Sequence, residues 1–213
     1  MSGIWWILVT GSQWNQLPER YGKWNSVYRF HNRWAKRGVF KHMVEETVRA
    51  AEIDEFKIID ASHVKVHQDA CHFSQSAEQQ GFGKTKGGRN SKLSAVTNGN
   101  GKLVNLKLVP GNEVDIKSAV EVLGEVAGFV VLGDKGYDSD TIREHILNKG
   151  GIANIPGRKN RKTNPFYVKV VGKRRHVVEN FFGRIKRFRR VCTRYDRLAE
   201  TYLSFVFLAA LMD

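Results

Sequence analysis

Phe56-Lys-Ile-Ile-Asp-Ala-Ser-His-Val-Lys-Val66 is the stretch on which the fold turns. Its β-branched residues read as a strand. Asp60 stands inside it, where a carboxylate is disfavoured and, once buried, needs a cation, hydrogen bonds or a proton. Residues 69–91 are polar and carry Gly81, Gly83, Gly87 and Gly88, the composition of a flexible loop. Lys92–Thr97 and Leu103–Val109 flank Asn98-Gly-Asn-Gly101, a strong hairpin signal. Asp115–Ala127 then sets Ile116, Ala119, Val120 and Leu123 on one helical face. Phe129-Val-Val-Leu132 is a short continuous apolar run ending in Gly133-Asp134, as a strand covered on both faces requires. Ser139–Asn148 reads as a helix closed by Gly150-Gly151, and Ile152–Ile155 as a short strand before Pro156-Gly157. Arg174–Arg190 and Leu198–Met212 complete the chain as two helices.

Strand, two-strand hairpin, helix, strand, helix, strand and then helices predict an α/β fold, a mixed sheet with flanking helices. This is also the element order of ribonuclease H-like folds. Residues 1–52 read as a small helical, Trp-rich N-terminal domain preceding it, with 53–213 as the second unit. In the first unit Trp24, Val27, Tyr28, His31 and Trp34 recur at helical spacing, Gly38 ends that helix, and Val39–Ala51 forms another. Arg29 and Arg33 lie between the apolar positions, either as DNA contacts or as a solvated basic face.

The composition narrows the function. A chain of 213 residues that is 41% hydrophobic can build a core, which excludes global disorder. Only two cysteines, Cys71 and Cys192, exclude a disulfide-stapled scaffold. The net charge of +14 points to a polyanion, nucleic acid before an anionic membrane surface. Residues 155–213 hold 15 Lys or Arg against 4 Asp or Glu, so most of that excess is C-terminal. Phe166, Tyr167, Phe181, Phe182, Phe188 and Tyr195 interleave it, as expected of a folded basic surface and not a loose arm. Ile4–Val9 is too short, and lacks the basic lead, for a signal peptide. Leu198–Met212 falls short of the ~20 residues of a membrane span and is interrupted by Glu200 and Ser204. The expectation is a cytoplasmic protein that does not enter a membrane.

Asp134 lies between Gly133 and Gly136 at the carboxyl end of an apolar strand, where open α/β sheets bind ligands. Asp60 or Asp134 alone reads first as a structural or capping carboxylate. Together, on strands expected to be neighbours, they read as a site for a hard cation such as Mg²⁺. Glu179 is the only acidic residue across Arg158–Tyr195, and Arg175, Glu179, Gly183, Lys186 and Arg190 fall on one helical stripe. Arg175 is then either a simple i−4 partner of Glu179 or one of several phosphate-binding cations around it. A competing zinc site on His63, His67, Cys71 and His72 has a spacing that matches no finger pattern.

Three segments carry a resemblance: Ile58-Ile-Asp60-Ala-Ser62, Leu132-Gly-Asp134-Lys-Gly-Tyr-Asp-Ser-Asp140, and Arg175-His-Val-Val-Glu179 through Arg190. They resemble the DDE transposases of bacterial insertion sequences, the group named after insertion sequence five. That group's signature is Tyr, two residues, Arg, three residues, Glu, six residues, Lys. Arg175, Glu179 and Lys186 fit it, while Gly172 occupies the Tyr position. Ile155–Lys162, Arg194–Leu198, Gly11–Trp14 and Leu17–Tyr21 are also similar to family sequences.

The resemblance implies a ribonuclease H-like core in which Asp60, Asp134 and Glu179 hold two Mg²⁺ ions, Mn²⁺ substituting. It implies phosphodiester hydrolysis at transposon ends followed by 3′-OH strand transfer into target DNA. Arg175 and Lys186 would bind phosphates beside Glu179, and Arg158, Lys159, Arg161 and Lys162 would grip the backbone. The partners would be double-stranded DNA, both terminal inverted repeats and target, and further copies of the chain in a synaptic complex on the nucleoid. Family members carry further residues ahead of the segment matching Ile4-Trp5-Trp6. The expectation is therefore a shortened N-terminal domain, and the alternative function is a catalytically inactive, truncated or domesticated DNA-binding remnant.

Overall fold

The structure is a computed structural model that describes residues 1–50, 54–71 and 80–213. Its centre is β1 (Phe56–Val66), the strand on which the fold turns. On one side β1 pairs antiparallel with β3 (Gly88–Asn98), Lys57 opposite Asn98 and Lys65 opposite Asn90. β4 (Leu103–Pro110) runs antiparallel on the far side of β3, and the two form the predicted hairpin. On the other side β1 pairs parallel with β5 (Val130–Leu132), which pairs parallel with β6 (Ile152–Asn154). The five strands thus lie in the order β4-β3-β1-β5-β6, with only β3 opposed to both neighbours. That is the ribonuclease H-like arrangement. Two short strands extend it: β2 (Gly83–Thr85) beside the start of β3, and β7 (Thr193–Arg194) beside the end of β1.

Side chains alternate across the sheet, so neighbouring residues enter different cores. Ile59, Val96 and Val131 face α4 (Asp115–Leu123) and α5 (Asp140–Asn148), packing with Val122, Ile142 and Ile146. Ile58, Ala95 and Leu132 face the opposite core. There α7 (His176–Lys186) lies against β1 and β3, and α9 (Ala199–Leu211) lies behind it. The N-terminal helices α1 (Ser2–Thr10), α2 (Trp24–Lys36) and α3 (Val39–Ala50) enter this same core through Ile4, Ile7, Leu8, Phe40 and Val44. Among the described residues no helix is long and apolar enough to cross a membrane.

Several boundaries differ from the sequence reading, each for a local reason. Within 69–91 the chain is not all loop: β2 folds back on β3, Thr85 opposite Gly88, and the turn uses Gly88 at a φ of 96° that side chains avoid. Residues 72–79 of that stretch lie outside the described residues. The helix expected to reach Ala127 ends at Leu123, because Gly124 turns to positive φ. The basic helix expected over Arg174–Arg190 is divided. It comprises a 3-10 turn Lys173–Arg175, then α7, then a four-residue α8 (Arg189–Cys192). Phe188 breaks it by adopting extended backbone, which lets its ring enter the core. A one-turn α6 (Lys169–Gly172) precedes them.

His31 joins α2 to α9 within the core. Its ring stacks on Phe205 at a centroid distance of 4.2 Å, and its Nε2 lies 2.8 Å from Ser204 Oγ. Ser204 gives its own proton to the Thr201 carbonyl, so it accepts from His31 Nε2–H. Burial pushes the His31 pKa down to about 4. Unfolding restores an ordinary value, so the unfolded chain binds the extra proton between about pH 6.5 and 4. Stability from this residue is therefore complete above about pH 6.5 and is lost as pH falls through that window, by about 3 kcal/mol. Urea titrations of the wild type and His31→Phe should show a stability difference that shrinks by this order between pH 7 and pH 4.

Candidate active site

The parallel pairing of β1 and β5 places the first two carboxylates. Ile58 is opposite Leu132, and two residues farther along each strand stand Asp60 and Asp134. Both share the alternation of Ile58 and Leu132, which face the α7 core. Asp60 Oδ1 accepts the N–H of Ala61 at 2.8 Å. Asp134 leaves β5 and opens a 3-10 turn, Lys135–Tyr137, its Oδ1 accepting the N–H of Gly136 at 2.8 Å. A Cβ at Gly136 would stand 2.8 Å from that oxygen, so a side chain there would push the carboxylate out of its place.

The third carboxylate arrives on α7. Val178, Phe181, Phe182 and Ile185 are buried, which turns Glu179 to the edge of the helix with its side chain 49% exposed. Arg175, just ahead of α7, spans two of the acids. Its Nη2 is 2.6 Å from Glu179 Oε1 and its Nη1 is 3.5 Å from Asp60 Oδ2. Burial raises the Asp60 pKa, and the charges of Asp134 and Glu179 raise it further; the Ala61 N–H and Arg175 work in the opposite direction. Both other carboxylates therefore lie within electrostatic reach of Asp60.

This donor set suits a hard divalent cation, because every side-chain ligand it offers is a carboxylate oxygen. The guanidinium between Asp60 and Glu179 is an internal stand-in, marking a place where positive charge is held. Among the described residues no three His, Cys, Asp or Glu side chains are already closed around a single point. With Arg175 in this position, the acids share a cation from the chain itself.

The other residues singled out in the sequence fall into distinct places. Lys186, at the end of α7, donates to Ser62 Oγ at 2.5 Å and to the His63 carbonyl at 2.7 Å, tying the helix to β1 just past Asp60. Arg190, on the same predicted stripe, is buried and pairs with Asp196 instead. Lys159 and Lys162 are exposed, whereas Arg158 and Arg161 reach back to the Asp134 turn. Arg29 and Arg33 are exposed on α2, whose main neighbours are α1, α3 and α9. Of the competing zinc set, His67 pairs with Asp69 at 3.2 Å, and His72 lies outside the described residues.

One carboxylate was missed. Asp138 is buried and accepts from Arg143 Nε at 2.9 Å, Arg161 Nη1 at 3.1 Å and the Arg158 N–H at 2.8 Å. Its sequence neighbourhood gave one signal, an Asp four residues past Asp134 with the Arg158–Lys162 run uncompensated. Nothing local could say that the two would meet.

Comparison with known proteins agrees over the length of the chain. The family described as "Transposase DDE domain" matches residues 52–212, and the one described as "Putative transposase of IS4/5 family" matches residues 1–44. A putative transposase for insertion sequence element IS6501 of Brucella ovis is 32% identical over 124 residues, 57% of this chain and 95% of that protein. The uncharacterized protein y4sN of Sinorhizobium fredii is 33% identical over 89 residues, 42% of this chain and 63% of its own. Among solved structures, the Mos1 transposase paired-end complex with left transposon end aligns over 94% of this chain and 75% of its own. The TM-score is 0.33 at 11% identity, too distant a likeness to carry a functional argument.

The electrostatics of Asp60 give opposite signs for two substitutions. Arg175→Ala removes a cation that lowers the Asp60 pKa and should move its titration to higher pH. Glu179→Gln removes a like charge and should move it to lower pH. Carboxyl carbon NMR of labelled aspartate, without divalent metal, reads both shifts.

Proposed function

The chain belongs to the DDE transposases, and we propose that it cuts DNA at the ends of its element and joins the freed 3′ ends to target DNA. The observation that supports this reading is that Asp60 and Asp134 stand at the same end of the paired strands β1 and β5, with Arg175 bridging Asp60 to Glu179 on α7. In this reading the three carboxylates hold two Mg²⁺ ions, or Mn²⁺ in their place. Such ions supply a lowered pKa for attacking water and charge neutralisation at the phosphorus.

The residues of the chain set the geometry of both reactions. The Ala61 and Gly136 N–H groups each hold one oxygen of Asp60 and Asp134, leaving Oδ2 of each for binding. Lys186 fixes the distance between α7 and β1, and so between Glu179 and Asp60. Arg175 moves from the carboxylates to a DNA phosphate when DNA binds. In the first reaction a water oxygen bonds to phosphorus as the P–O3′ bond breaks, leaving a 3′-OH and a 5′-phosphate. In the second that 3′-OH bonds to a target phosphorus and displaces the target's own 3′ oxygen. Neither reaction requires a covalent link to protein.

Residues 53–213 are the catalytic unit in this proposal, and residues 1–52 assist in reading DNA with Arg29 and Arg33. Both transposon ends must be handled together, which calls for more than one copy of the chain, acting on the nucleoid in the cytoplasm. The test uses purified protein, duplexes bearing the element's terminal inverted repeats, and Mg²⁺ or Mn²⁺. Nicking and strand joining are expected, and Asp60→Asn should reduce both to background while gel-shift affinity persists. Cleavage that survives Asp60→Asn or Glu179→Gln removes the triad assignment. A gel shift without cleavage in the wild type favours a binding protein that has lost its chemistry.

A further inference from the structure

The run Arg158-Lys159-Asn160-Arg161-Lys162 reads in sequence as one block of DNA-gripping cations. The structure divides it. The N–H of Arg161 bonds the carbonyl of Arg158 at 3.1 Å, closing a turn that brings residues three apart to one side. Arg158, itself exposed, and the half-buried Arg161 turn their guanidinium groups onto the protein, while Lys159 and Lys162 are exposed and form no ion pair among the described residues.

The inward pair meets the turn that carries Asp134. Arg158 Nη2 donates to the Gly136 carbonyl at 2.8 Å, and its Nε donates to the Lys135 carbonyl at 3.1 Å. Its backbone N–H donates to Asp138 Oδ2 at 2.8 Å. Arg161 donates to Asp138 Oδ1 at 3.1 Å and pairs with Asp140. Arg143, from α5, donates to Asp138 Oδ1 and to the Ile155 carbonyl, at 2.9 and 2.6 Å. The Asp138 side chain is 1% exposed. A charge so buried is tolerable only with these donors around it.

One peptide unit connects this clasp to the candidate active site. The Lys135 carbonyl and the Gly136 N–H belong to the same planar amide. Arg158 holds its oxygen, and Asp134 Oδ1 holds its hydrogen. Arg158 therefore fixes the plane of that amide, the amide fixes one oxygen of Asp134, and the other oxygen is aimed by default. A cation on the carbonyl also polarises the N–H and strengthens its bond to the carboxylate.

We propose that Arg158, Arg161 and Asp138 are positioning residues for Asp134 and do not contact DNA, while Lys159 and Lys162, on the other side of the same turn, hold DNA phosphates. The inference rests on the proposed role of Asp134 as a metal ligand. It divides by function a basic run that charge alone treats as uniform.

The test measures two bindings on the full chain. Mn²⁺ affinity is read from the electron paramagnetic resonance signal of the free ion, without DNA. DNA affinity is read by fluorescence anisotropy on an inverted-repeat duplex from 50 to 300 mM salt, with circular dichroism melting as the folding control. Arg158→Ala should weaken Mn²⁺ binding by roughly 10- to 100-fold, as loss of a residue supporting a metal ligand does, and leave the slope of log affinity against log salt unchanged. Lys159→Ala with Lys162→Ala should leave Mn²⁺ affinity unchanged and reduce that slope by roughly 1.8, about 0.9 for each phosphate no longer neutralised. Arg158→Lys keeps the charge but loses the planar fork whose Nε and Nη2 reach the two carbonyls separately, and should give an intermediate Mn²⁺ affinity; it replaces the alanine variant if that one does not fold. Arg158→Ala that binds Mn²⁺ like the wild type, or that reduces the salt slope as the lysine changes do, overturns the inference alone. A wild type that binds DNA but no Mn²⁺ overturns the proposed carboxylate centre itself, and this inference with it.

Discussion

Three carboxylates brought to one end of a sheet repel one another, and that repulsion is the constraint the structure is built to contain. The charges of Asp134 and Glu179 both raise the Asp60 pKa, the signature of that repulsion. The chain cannot relieve it by letting Asp60 retreat. β1 is central, with β3 bonded along one side and β5 and β7 along the other. Relief has to come from fixed donors and cations instead. The Ala61 and Gly136 N–H groups each take one carboxylate oxygen, and Arg175 supplies positive charge between Asp60 and Glu179.

The remainder of the molecule keeps those elements in register. α7 is held to β1 by Lys186 at one end and by its apolar face along its length. Behind it a buried polar knot joins segments far apart in sequence. Arg190 forms a two-pronged pair with Asp196 and donates to the Ser12 carbonyl, which binds the N-terminal region to the C-terminal helices. Arg194 lies over the Phe82 ring at 3.8 Å, donating to the carbonyls of Gln80, Asp196 and Arg197 and to Ser91 Oγ. Replacing such a network with apolar residues is often neutral or favourable for stability. Its value here lies in direction: carbonyls and a hydroxyl at fixed positions admit one arrangement of β3, β7 and α9, where an apolar contact would admit several.

The sheet was largely legible in the sequence because its signals are local. The β-branched residues of Phe56–Val66, the Asn-Gly turn at Asn98–Gly101 and the apolar run ending at Leu132 each lie within a dozen residues. Asp60 stood out as a carboxylate where a strand disfavours one, and Asp134 by its place between two glycines at a strand's carboxyl end. What escaped was non-local or conformational. Phe188 is apolar and sits in a helical pattern, yet core packing draws it into extended backbone and divides the helix. Arg190 fell on the stripe of Glu179 by spacing, but the break after α7 rotates it into the core toward Asp196. Asp138 could be recognised only once two segments some twenty residues apart were seen to meet.

That last failure has a general physical cause. Charge counting treats Lys and Arg alike, but the two side chains do different work here. Arginine presents a planar fork of donors and is less strongly hydrated, so it can be bonded to several carbonyls and carboxylates at once. Arg143, Arg158, Arg161, Arg184, Arg190 and Arg194 are all used in that way. Lys159, Lys162, Lys169 and Lys173 remain exposed on the segment between β6 and α7. A compact, hydrated ammonium on a flexible stem meets a phosphate without having to leave a protein partner first. Arg175 is the intermediate case, an arginine at the surface of the carboxylate centre with partners it can exchange. The positive charges behind the net +14 therefore separate into those bonded within the protein and those left exposed at its surface.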